Sequence, residues 1–113
     1  MATNRQKEIA GEIIRQLGGN RFIAMTGAKN FSCFNNDKGN VVAAFKIGKN
    51  EMGVTHVRIE YTGGSDLYDM SFIKSRINKK LECVEMLVAN HTQVYDDMLV
   101  PLFEQETGMR TSL

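Results

Sequence analysis

The chain has no tryptophan, one proline, two cysteines and two histidines among its 113 residues. Cys33 and Cys83 lack the CxxC spacing and the nearby histidines of a zinc site, so no metal is expected. With no signal peptide at the start, they are expected as free, buried thiols in a reducing cytoplasm. His56 and His91 stand 35 positions apart in the sequence, which argues for no catalytic or metal-binding pair. No apolar run approaches the roughly 20 residues of a membrane span, so no membrane partner is expected.

Net charge is also small, at +1, so bulk electrostatics does not announce a polyanion-binding protein. The charge is unevenly placed, however. Residues 1–80 carry 13 Lys and Arg against 7 Asp and Glu, and residues 81–113 carry 1 against 6.

A chain of this length makes a single domain, 1–113, able to bury its own core. Thr3 or Asn4 can cap a first helix, with Thr3 and Gln6 in capping-box spacing. Ile9, Ile13, Ile14 and Leu17 then form a narrow apolar stripe, and Gly18-Gly19 stop the helix.

Five extended segments are expected next. Arg21–Thr26 reads as a short strand with Phe22, Ala24 and Thr26 on one face. Phe31–Asn35 and Val41–Ile47 flank the turn residues Asn35 to Asn40 as a hairpin. Val54–Tyr61 alternates Val57, Ile59 and Tyr61 with His56, Arg58 and Glu60, as a half-buried strand does. A turn at Thr62–Asp66 leads to Leu67–Lys74.

Leu81–Val88 fits a strand or a helix; its β-branched residues and the turn-like Asn90-His91-Thr92 favour a strand. A closing helix is expected from Asn90 or Thr92, with Val94, Met98, Leu99, Leu102 and Phe103 as its stripe and its main role as cover for the sheet. Pro101 should kink or split that helix. Met109 and Leu113 are placed to fold back on the core. The fold class is therefore α+β: a mostly antiparallel sheet of about five strands with an N-terminal and a C-terminal helix.

No catalytic constellation accompanies this pattern, and the chain reads as a non-enzyme with no cofactor. Gly27, Ala28 and Lys29 lack the strand–loop–helix context of a phosphate loop and read as a turn. Asp96 and Asp97 are neighbours on a helix and point about 100° apart, so they suit a solvated face better than paired-carboxylate chemistry. Only a pocket uniting Lys29, His56 and Asp69 would argue for an enzyme.

The candidate binding residues are cations of the sheet half: Lys29, Lys46, Lys49, Arg58, Lys74, Arg76, Lys79 and Lys80. Phe22, Phe31, Phe34, Tyr61 and Tyr68 are interleaved with them. Charge that tracks a phosphate backbone beside rings that stack on bases is how several sheet proteins hold nucleic acid. The expected partner is single- or double-stranded nucleic acid. The alternative is a protein-interaction module, a homo-oligomer or an inhibitor of a host protein, built on a methionine-rich surface.

Three stretches carry a resemblance: LGGNRFIAMTGAKNF at Leu17 to Phe31, the pair Tyr68-Asp69, and the ending with VYDDML at Val94 to Leu99, ETGM at Glu106 to Met109 and TSL at Thr111 to Leu113. On these the chain resembles a family of small, uncharacterised proteins of bacteriophages and mobile elements. Pro101 departs from the regular final helix of similar sequences. The resemblance implies one compact unit with an accessory role in a phage or mobile element, and it carries no activity and no site residue.

Overall fold

The structure, a computed structural model, describes residues 4–62 and 67–111. Thr3, the turn at 63–66 and Leu113 lie outside the described residues. Helix α1, Asn4–Leu17, buries Ile13 and Leu17 completely, with Ile9 and Ile14 packed beside them. The opposite face is polar, and there Arg15 donates to the Glu12 carboxylate one turn back.

The segment expected as a strand at Arg21–Thr26 is instead a second helix, α2, Gly19–Thr26. Its two buried residues are Phe22 and Thr26, four apart, while Ala24 faces solvent. A period of two would have buried Ala24 as well. Thr26 Oγ1 donates to Phe22 O at 2.8 Å, which ties off the last turn. Gly27 closes α2 in the left-handed conformation, φ 68°, where a side chain would be strained.

Five strands follow as a meander: β1 Lys29–Asn35, β2 Val41–Lys46, β3 His56–Tyr61, β4 Tyr68–Ile77 and β5 Cys83–Val94. All neighbours are antiparallel and the spatial order equals the chain order. The β1–β2 turn is held by Asn36, whose side chain accepts from the Lys38 and Asn40 amides. The 81–88 segment is strand from Cys83 onward, with Leu81 and Glu82 in the preceding turn, and β5 runs on through Asn90-His91-Thr92, which make no turn. It absorbs the extra residues in two bulges, one of them next to Gln93 at φ 55°.

One sheet face carries the core. Phe45 pairs with Val57 and Val57 with Phe72; Ala43 pairs with Ile59 and Ile59 with Met70. Phe22 meets Phe45 edge-on at 5.7 Å and Phe103 at 5.0 Å, and Phe103 lies 6.4 Å from Phe72. These contacts join α2 and the later Phe103 segment to the middle of the sheet.

A single 3-10 turn, Asp96–Met98, leads into α3, Leu99–Thr107. The closing helix thus begins later than its apolar stripe suggests, because Val94 already belongs to β5. Pro101 falls in the first turn of α3, where a missing N–H leaves no carbonyl unpaired, so the helix divides at the 3-10 junction instead of kinking. Pro101→Ala is expected to lower stability by no more than about 1 kcal/mol, through the freer unfolded chain. Urea unfolding of the two proteins reads that difference.

α1, not α3, is the helix that lies broadly on the sheet, over β1 and β2. α3 reaches the sheet through Phe103, and the chain then turns at Gly108. Met109 packs against the core. Thr111 is buried, its amide donating to Glu104 Oε2 at 3.0 Å. Among the described residues, no helix is long and apolar enough to cross a membrane.

Candidate nucleic-acid interface

The strand register divides the sheet into two ends. Asn35, Val41, Tyr61, Tyr68 and Val94 line up at one end, and Lys29, Lys46, His56, Ile73 and Leu87 at the other. The second end collects most of the candidate cations.

Lys29 opens β1 and Lys46 closes β2 directly opposite it. Lys49 comes from the loop 47–55, and the three lysines line one cleft of about 600 Å³ together with Gly27, Gly48 and Thr55. The loop keeps its shape through Asn50. Its amide donates to Gly48 O and Val54 O at 2.9 and 2.6 Å, and its Oδ1 accepts from the Val54 amide at 3.0 Å. Ile47 and Val54 anchor the loop in the core. Lys74 reaches the far wall: a Cβ placed on Gly53 would lie 3.4 Å from its Nζ.

Beyond that row the sheet narrows to two strands. β4 and β5 continue past the end of β3 as a ribbon that pairs Lys74 with Met86, Ser75 with Glu85, Arg76 with Val84 and Ile77 with Cys83. Residues 78–82 form its tip, with Lys79 and Lys80 fully in the open. The ribbon also exposes Ile77, Leu81, Met86 and Leu87, at 55–86% of their full surface. Cys83 is exposed on this ribbon, contrary to a buried thiol, while Cys33 is half-buried beneath α1.

Arg58 stands apart from the cluster. It sits on the sheet face away from the helices and bonds Glu85 at 3.4 Å. Both partners are about half exposed, so the pair contributes little stability. The remaining cations of the basic end are seven, against three carboxylates, Glu51, Glu82 and Glu85.

The rings expected beside the cations are mostly elsewhere. Phe22 is core, and Tyr61 and Tyr68 stack 5.6 Å apart at the opposite end of the sheet. There they line a hollow of about 420 Å³ with Glu8, Glu12 and Asp96. The Glu12 carboxyl is held below its ordinary range by the Arg15 hydrogen bond first and by Gln16 second. Phe31 and Phe34 remain partly exposed on opposite faces of the edge strand β1. Among the described residues, the cations thus gather at one end of the sheet with no aromatic platform between them, while the hollow at the other end is lined by three carboxylates.

Lys29, His56 and Asp69 do not converge. Lys29 borders the lysine cleft, while Asp69 lies in a separate hollow with Glu60 and Asn90 on the helix-free face. Among the described residues, no three His, Cys, Asp or Glu side chains gather to hold a metal ion. Of the C-terminal carboxylates, Asp96 and Asp97 are exposed, whereas Glu104 ties down Thr111 and Glu106 faces His91 Nε2 at 3.5 Å.

Asn50 was not singled out by the sequence, since a lone Asn in a Gly- and Lys-rich loop reads as an ordinary turn residue. Asn50→Ala strips three hydrogen bonds from partly buried backbone groups. It should cost about 2–3 kcal/mol of stability and loosen the lysine cleft. Amide hydrogen exchange at Val54, compared with exchange in β3, checks this.

No protein-family model, no curated protein and no solved structure matches this chain.

Proposed function

We propose that this protein is a non-enzymatic nucleic-acid-binding module of a phage or mobile element, and that it binds through the basic end of its sheet. The observation that carries the reading is the gathering of seven of the eight candidate cations, all but Arg58, around one cleft and the ribbon beside it. Phosphates bound there would release counterions, so affinity should fall linearly with salt on logarithmic axes. Titration of labelled single- and double-stranded oligonucleotides at several salt concentrations tests it. Binding with a slope of several units is expected; no binding at low salt would overturn the reading.

A second reading has an observation of its own. The ribbon at the basic end carries exposed apolar side chains beside Lys74, Arg76, Lys79 and Lys80, and those cations are complementary in charge to the Glu8, Glu12 and Asp96 hollow at the other end, which suits head-to-tail association of copies. The mass of the free protein, measured on the same sample, separates the two.

A further inference from the structure

We infer that the β4–β5 ribbon enters the minor groove of double-stranded DNA and that Leu81 acts as a wedge between base pairs, bending the duplex. The inference rests on the nucleic-acid reading above and adds the form of the ligand and the residue that deforms it.

The ribbon has the necessary reach. Four strand pairs extend past the end of β3. At roughly 3.3 Å per residue that is about 13 Å; the Ser75 amide donates to Thr55 Oγ1 at 2.8 Å, so about 7 Å of it, with the tip beyond, stands free of the body of the sheet, against a groove depth of about 7.5 Å. Its charge suits a polyanion: Lys74, Arg76, Lys79 and Lys80 lie along the edges and tip against two carboxylates, Glu82 and Glu85, and Glu85 is bonded by Arg58. The same net positive charge disfavours pairing ribbon to ribbon between copies.

The tip is built to hold one apolar side chain outward. Asn78 Oδ1 accepts from the Lys80 and Glu82 amides at 2.9 and 3.0 Å, and the Leu81 amide donates to Asn78 O at 3.0 Å. Within this closed turn Leu81 takes φ 63° and stays 86% exposed. A leucine in the left-handed region is unfavourable, and Asn or Gly would sit there with less strain. The fold thus gains nothing from leucine at this position, neither burial nor a backbone preference. An apolar side chain that follows two lysines, Lys79 and Lys80, and precedes one carboxylate, Glu82, at the end of a ribbon is the chemistry of a groove wedge, which unstacks a base step and kinks DNA. The lack of an aromatic platform argues in the same direction, away from bases stacked on the sheet.

The experiment is energy transfer between dyes at the two ends of a duplex DNA of about three helical turns, read together with binding. The wild type should shorten the end-to-end distance on binding, to an extent matching a kink of about 20–90°. Leu81→Asn, which suits the turn, should bind but leave the duplex straight. Leu81→Met, still apolar, should keep the bend. Duplex binding without bending, equal bending by Leu81→Asn, preference for duplex RNA, or binding of single strands alone would each overturn the wedge while leaving nucleic-acid binding in place. Failure to bind any nucleic acid would remove both.

Discussion

Phe103→Ala is expected to destabilise the protein by about 3–5 kcal/mol, the usual range for removing a large buried ring. Phe103 is fully buried and, with Leu99, carries α3 into the core: Phe22 of α2 lies 5.0 Å from its ring and Phe72 of β4 6.4 Å away. Its loss leaves a cavity between the helical layer and the sheet that Leu99 and Leu102 cannot reach across without shifting α3. For a domain whose total stability is about 5–15 kcal/mol, this is a large fraction. Denaturant unfolding should show a lower midpoint with little change in slope. A cost below about 1 kcal/mol would mean that α3 is not an integral part of the core.

The sheet was legible in the sequence because its signals were local. Val57, Ile59 and Tyr61 alternate with His56, Arg58 and Glu60, and the Asn36 to Gly39 cluster sits between two apolar runs. The helix α2 was not. Its eight residues hold only two buried positions, and Phe22 with Thr26 satisfies a period of two as readily as a period of four. What decides is Gly27 as a left-handed cap and the docking of Phe22 against Phe45 and Phe103, both distant in sequence.

The tail of β5 was misjudged for a related reason. Val94 belongs to the apolar stripe of the closing helix in sequence, but in the fold it pairs with Tyr68 at the end of a bulged strand. For the candidate site, the residue types were visible and the placement was not. Lys29, Lys46 and Lys49 converge only because β1 and β2 pair and the Asn50 loop folds back over them. Arg58 sits among the same cations in sequence and shares a face with Lys46, yet it lies two residues further into the sheet, outside the cleft, and bonds Glu85.

Replacing the four ribbon cations together, Lys74, Arg76, Lys79 and Lys80 by Gln, should weaken nucleic-acid binding on the order of a thousandfold at about 0.1 M salt. Each phosphate contact on duplex DNA contributes about 0.9 to the salt slope, so the slope itself should drop by about three to four units if all four engage. Every one of these side chains is exposed, so the fold should survive the change, and an unfolding midpoint near that of the wild type is the control. Arg58→Gln is the matched comparison. It removes a cation from the same sequence region but from outside the cluster, so it should shift affinity little. A quadruple variant that binds as the wild type does would place the interface away from the ribbon. The lysine cleft would then be the surface to alter next, through Lys29, Lys46 and Lys49. A loss from Arg58→Gln of about a quarter of the ribbon variant's, on a logarithmic scale, would mean that binding follows overall charge and not the geometry of the basic end.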